Sequence, residues 1–200
     1  AEHRLTTLFW ECTLRCNLRC GHCGSDCTAS PDCQDMPAED FFRVLDRQIT
    51  PRVDPHRVMV VLSGGEVLVR SDLERIGRAL YDREYPWGMV TNGMALTPME
   101  FVRRTRREGR IACSYACEGF LGGYEMEARD HFYHCDAGVS VASIRVDGAI
   151  SGCTSVRADY AQGNIYRDDF WQVWTERFEP FRRREWMRRG ACADCAAWRY

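Results

Sequence analysis

The sequence predicts an α/β chain: a parallel sheet made from about three βα units, followed by a small irregular α+β segment that carries a β-hairpin. Three observations lead there. Up to residue 110, strand-like apolar runs alternate with helical periodicities. The loops around Cys16, Gly64 and Asn92 each follow a strand, so they gather at the carboxyl ends of a parallel sheet, where such folds place their chemistry. Beyond Gly109 the alternation stops, and Asp147-Gly148 between two apolar runs predicts a hairpin. The boundary falls near residue 110 and divides 1–110 from 111–200.

Each element follows from its residues. "RLTTLFWEC" is a first strand. After a cysteine-rich loop, "PAEDFFRVLDRQI" repeats apolar residues at Phe41, Phe42, Leu45 and Ile49, the spacing of a helix face. "RVMVVLSGGE" is a buried strand that ends in glycines, and "SDLERIGRALYDRE" is a helix opened by a capping box from Ser71 to Glu74, with Leu73, Ile76 and Leu80 on one side. "WGMVTNG" is a third strand. "TPMEFVRRTRREG" is a helix with Thr97 as N-cap, Pro98 at its first position, Glu100 at its third and Gly109 past its end. In the second half, "VSVASIRVDGAISGC" is the hairpin. "DDFWQVWTERFEPFRRREWMRRG" is a helix interrupted at Pro180, with Phe170, Val173, Trp174 and Phe178 turned to a core. The arginine run 182–189 reads as a solvated face or a contact for an acidic partner.

Composition narrows the function classes. A net charge of −2 provides no basic field for nucleic acid or an anionic membrane, so neither is expected as a partner. All 27 basic residues are arginine, which removes lysine Schiff-base chemistry. No apolar run reaches the ~18 residues that span a bilayer. "AEHRLTTLFWEC" lacks the pattern of a secretory leader, so the expected location is the reducing cytoplasm. The 12 cysteines could pair as disulfides, but the compartment and the tight spacings favour metal.

Cys16, Cys20 and Cys23 form C-x-x-x-C-x-x-C. Three thiolates on one loop can hold three corners of a cubane iron–sulfur cluster and leave the fourth iron open to a ligand. A zinc site completed by Cys12 or Cys27 is the alternative. Gly64-Gly65 alone reads as a tight turn, Glu66 as a complement to the following helix, and Asn92-Gly93 as a common turn pair. Cys12, Cys27 and Cys33 read as buried small hydrophobes.

Taken together, "CNLRCGHC" after a first strand, "LSGGE" after a second and "VTNG" after a third resemble the radical S-adenosylmethionine (SAM) enzymes. That family's core has six βα units and three are legible here, so the implied fold is a partial (β/α) radical-SAM-type barrel. The resemblance implies that Cys16, Cys20 and Cys23 ligate a [4Fe–4S] cluster whose open iron chelates SAM. It implies that Gly64, Gly65 and Glu66 meet the methionyl ammonium, that His22 lies beside the adenine, and that Asn92 lies on the same rim. Val67 stands where the family usually has proline. The implied reaction is reductive cleavage of SAM to a 5′-deoxyadenosyl radical that takes hydrogen from a substrate.

The second half resembles SPASM domains, which bind auxiliary clusters. Cys135, twelve residues, Gly148, four residues and Cys153 follow C-x(9–15)-G-x(4)-C, and Cys192-x-x-Cys195 follows the opening of a second SPASM pattern. The next cysteine of that pattern falls at position 201, so a truncated segment is expected. Cys113 and Cys117 could join Cys135 and Cys153 around one cluster. The resemblance implies a peptide or protein substrate, an oxidoreductase or peptide maturase activity, and a small low-potential electron donor protein. Open edges of a partial barrel invite a homodimer that completes it. Two rivals stay open at this point, a catalytically inactive iron–sulfur-binding fragment and a zinc-stabilised interaction module.

Overall fold

A computed structural model describes residues 3–21, 23–25, 27, 33–96, 135–154, 159–190 and 193–194. The anticipated helix from Thr97 to Gly109 lies outside them, as do His22, Cys113, Cys117, Cys192 and Cys195. Residues 1–91 with 136–195 form one compact unit, and residues 92–135 with 196–200 form a second, described at 92–96 and 135.

The first unit is built on a six-stranded sheet of order β3-β2-β1-β4-β5-β6. The strands are β1 (Thr7–Thr13), β2 (Met59–Gly64), β3 (Trp87–Met89), β4 (Val141–Ile144), β5 (Ala149–Ser151) and β6 (Gly163–Asn164). β1 pairs in parallel with β2 and β4, and β2 pairs in parallel with β3. β5 and β6 then add antiparallel. The anticipated hairpin is β4–β5, turned at Asp147-Gly148, where Gly148 takes φ +81° and the Asp147 carboxylate accepts from the Ala149 N–H at 3.0 Å. The hairpin therefore continues the sheet of the first three strands.

Apolar periodicity placed the helices. In α1 (Ala38–Val44), which runs on into a π-helical turn (Leu45–Ile49), Phe41, Phe42, Leu45 and Ile49 are all buried. Trp10 of β1 stacks on Phe41 with ring centres 4.3 Å apart and planes 4° apart. In α2 (Leu73–Asp82), Ile76 and Leu80 are buried and Leu73 is partly so. In α3 (Phe170–Glu176), Phe170, Val173 and Trp174 join the same core, followed by Phe178.

Three local readings are corrected. The Ser71–Glu74 capping box does not form, because the chain enters α2 through Asp72, whose carboxylate is held by Arg70 and Arg75 instead. The interruption near Pro180 falls earlier, and Pro180 sits in the first turn of the short helix α4 (Glu179–Arg182), where its missing N–H costs nothing. Arg182 is no solvated charge. It lies over Trp174, 4.8 Å from the ring centre, and donates to the Trp174 and Thr175 carbonyls that α3 leaves open at its end.

At the end of β2 two glycines are required by close approach. A Cβ on Gly64 would stand 1.9 Å from the Thr13 carbonyl oxygen, and one on Gly65 would stand 2.1 Å from that of Arg15. Gly64 also takes φ +123°, which side chains rarely adopt. Gly64→Ala should therefore cost about 4 kcal/mol or more. Gly88→Ala in β3, whose Cβ would meet nothing nearer than 3.9 Å, should change stability by less than about 1 kcal/mol. Urea unfolding of the two variants checks the contrast.

Candidate cluster and cofactor site

The carboxyl ends of β1, β2 and β3 build the site. The chain leaves β1 through a bulge in its register between Glu11 and Thr13 and enters the cysteine loop. Beyond the bulge the two loops pair: the Gly65 N–H donates to the Thr13 carbonyl and the Glu66 N–H to the Arg15 carbonyl, each at 2.9 Å. This pairing is possible because positions 64 and 65 lack Cβ atoms, and it ties the first residues of the cysteine loop to the Gly-Gly-Glu segment.

The loop is closed at its other end by Asp35. Its carboxylate accepts from the Thr13 hydroxyl at 2.5 Å and from Arg15 Nε and Nη2 at 3.1 and 2.5 Å. Beside it lies Arg70, whose guanidinium donates to the Cys12 and Met36 carbonyls and, through Nε and Nη2, to both oxygens of Asp72 at 2.9 Å. Arg70 is buried, with its guanidinium carbon 5.5 Å from the Trp10 ring centre. One arginine thus joins the end of β1, the approach to α1 and the start of α2.

Within the loop, Cys16 and Cys23 are half-buried against the core, and Cys20 is exposed. The Leu18 N–H points to Cys16 Sγ at 3.4 Å, and the Cys23 N–H closes a turn on the Cys20 carbonyl at 3.3 Å. Cys27 is buried and hydrogen-bonded with Cys23. Burial first, then that bond and the neighbouring Cys23, Cys16 and Glu11, push its thiol up to about 12. Cys12 is also buried at the end of β1 and is pushed up to about 12 by desolvation, which the nearby Arg70 charge only partly offsets. Cys12 and Cys27 behave as the buried thiols anticipated, and Cys33 is half-buried.

The donor set suits an iron–sulfur cluster. Among the described residues, no three His, Cys, Asp or Glu side chains converge on a single ion. A four-iron cluster takes each thiolate on a different iron and needs no such convergence.

Glu66 is fully buried. Its Oε1 accepts from the Leu68 N–H at 3.0 Å and the Thr91 hydroxyl at 2.8 Å, so the carboxylate is fixed by the turn after β2 and by the second residue beyond β3. In the second unit, Asn92 Oδ1 accepts from the Met94 N–H at 3.0 Å. Cys153 follows β5 and is half-buried, while Cys135, in the second unit, is exposed. Sequence reasoning missed Asp35, Arg70, Thr91 and Glu11. Thr91 alone carried a signal, as the first residue of "TNG"; the others stand in no motif and act through distant partners.

Residues 10–116 match the model of the radical SAM superfamily, and residues 135–196 match that of the SPASM iron–sulfur cluster-binding domain. The chain belongs to the radical SAM superfamily and carries a SPASM domain. Its cofactors are those of the family: a [4Fe–4S] cluster, SAM and auxiliary iron–sulfur clusters. It is 33% identical over 123 residues to the AdoMet-dependent heme synthase of Methanosarcina barkeri, covering 62% of this chain and 33% of that protein. The chain spans about a third of the length of the curated relatives it matches. BtrN in complex with AdoMet and 2-DOIA superposes with TM-score 0.57 at 16% identity over 97% of this chain and 94% of BtrN. Streptococcus suis SuiB bound to precursor peptide SuiA superposes with TM-score 0.58 at 13% identity over 86% and 65%. These likenesses show the fold. Among the described residues, no helix is long and apolar enough to cross a membrane.

The clamp on the loop has a pH signature. Burial pushes the Asp35 carboxyl upward, but hydrogen bonds from Arg15 and Thr13 more than offset this and hold it below its usual value. A carboxylate lowered by folding stabilises the fold above its unfolded value near ~3.9, and that contribution is lost as pH falls through the folded value. Asp35→Asn should cost about 1–2 kcal/mol at neutral pH, a figure kept modest because Arg15 is half exposed. The difference from wild type should shrink below about pH 4, as chemical unfolding across pH would show.

Proposed function

We propose that this chain reductively cleaves SAM, with Cys16, Cys20 and Cys23 holding the cluster and Gly64, Gly65 and Glu66 receiving the methionyl ammonium. When bound, the cluster supplies the electron and the open iron position at which the sulfonium is cleaved to a 5′-deoxyadenosyl radical. The observation that carries the reading is the backbone pairing of Thr13 and Arg15 with Gly65 and Glu66, which joins the cysteine loop to a buried carboxylate. Glu66 is held by Leu68 and Thr91, so it can accept an ammonium without first having to be ordered. His22 is assigned to the adenine side and Asn92 to the same rim, both on the family resemblance. Cys113, Cys117, Cys135, Cys153, Cys192 and Cys195 are assigned to auxiliary clusters in a C-terminal segment, 111–200, and a small low-potential protein is the electron donor.

For the substrate, the SPASM domain and the fold likeness to SuiB, whose complex holds a precursor peptide, support peptide or protein modification. The identity to heme synthases supports a second reading, a substrate in haem synthesis, and at 33% that likeness is closer.

The test is anaerobic reconstitution with iron and sulfide, metal and sulfide counts per chain, and then a 5′-deoxyadenosine assay with dithionite and SAM. Wild type should incorporate iron and sulfide and form 5′-deoxyadenosine. Cys16→Ala should lose the SAM-binding cluster and the product together. Glu66→Gln should keep the cluster and lower product formation about tenfold or more. Incorporation without 5′-deoxyadenosine would leave a cluster-binding protein only, and zinc without sulfide would leave an interaction module.

A further inference from the structure

Along β1 the side chains alternate. Leu8 and Trp10 face the helices, where Trp10 stacks on Phe41, and Phe9 and Glu11 face the other way. Register sets Glu11 beside Ser63 of β2 and, one step past the Trp10–Ile144 pair, beside Arg145. Ser63, Glu11 and Arg145 thus make one row across three adjacent strands, at their carboxyl ends.

Two atoms of this row are buried with no hydrogen-bond partner among the described residues, Ser63 Oγ and Arg145 Nε. Glu11 between them is fully buried, and its Oε2 accepts from the Val146 N–H at 3.2 Å. Phe9 and Val61, paired on the same face two residues earlier, are only half-buried, so the face is not sealed. A buried donor left unpaired costs stability, and a charged one costs more. Such groups cluster where a ligand completes them.

We propose that Arg145 and Ser63 form a carboxylate-binding subsite on this face of the sheet. A guanidinium offers N–H groups in a fork that fits a carboxylate. The Ser63 hydroxyl, about 10 Å away across β1, takes a second polar group of the same ligand. A carboxylate at Glu11, between the two in the row, disfavours an anion placed there and directs the ligand's carboxylate to the Arg145 end. The inference rests on the reading above, because the ligand is either the SAM or the substrate of that reaction.

The experiment uses the anaerobically reconstituted full chain. Glutarate should raise the thermal midpoint of wild type, and glutaramide at matched ionic strength should not. Arg145→Gln should abolish the glutarate response, and Arg145→Lys should restore part of it. Ser63→Ala removes an unpaired hydroxyl and should raise the unliganded midpoint by about 2–4 °C. Dissociation constants for SAM and decarboxylated SAM identify the source of the carboxylate. If Arg145→Gln weakens SAM about tenfold and spares the decarboxylated form, the carboxylate belongs to SAM. If SAM binding is unchanged while the glutarate response is lost, it belongs to the substrate. Wild-type responses in Arg145→Gln, or a lowered midpoint in Ser63→Ala, would overturn the subsite. Cluster content and 5′-deoxyadenosine on the same samples separate that failure from a failure of the SAM reading.

Discussion

Two backbone hydrogen bonds, from Gly65 to Thr13 and from Glu66 to Arg15, hold the site of this protein together. They extend the parallel pairing of β1 and β2 past the end of the sheet, into loops that would otherwise diverge. They require two successive residues without side chains, because a Cβ at either position would enter a carbonyl oxygen. Glycine in this segment therefore has a structural task before it has a chemical one. By bringing the β2 loop against the base of the cysteine loop, the pair sets the buried Glu66 carboxylate beside the segment that leads to Cys16.

The rest of the loop depends on charge. Closing a segment from Thr13 to Asp35 costs about 3 kcal/mol in chain entropy by the logarithmic law. Asp35 closes it by holding Thr13 and Arg15 together, and Arg70 fixes the adjoining backbone on both sides. Arg70 is a buried cation, tolerable because Asp72 meets it with two hydrogen bonds and the Cys12 and Met36 carbonyls accept from its Nη1. The cysteines thus sit on a loop with two anchored ends and an exposed middle, where Cys20 lies.

Much of this was legible from local pattern. The three parallel strands, the apolar faces of α1, α2 and α3, and the turn at Asp147-Gly148 are all short-range signals, and each is present. Pairing across long separations was not legible. Nothing in "VASI" says that β4 joins β1 rather than lying in a separate sheet, since both are buried apolar runs. The Ser71–Glu74 pattern was outcompeted by Arg70, which draws Asp72 into the N-cap position. Cys16, Cys20 and Cys23 were visible by spacing, and Gly64, Gly65 and Glu66 by adjacency. Asp35, Arg70 and Glu11 were hidden because their roles exist only through partners that the fold supplies, and Thr91 showed only as the first residue of "TNG".

The central claim, that the loop pairing holds the site, is tested most directly by native-state hydrogen exchange at the Gly65 and Glu66 amides. The account predicts that both exchange with the slow core of β1 and β2, opening only with the sheet. Exchange at the fast rate of exposed loop amides would show that the two loops are not joined, and would contradict it.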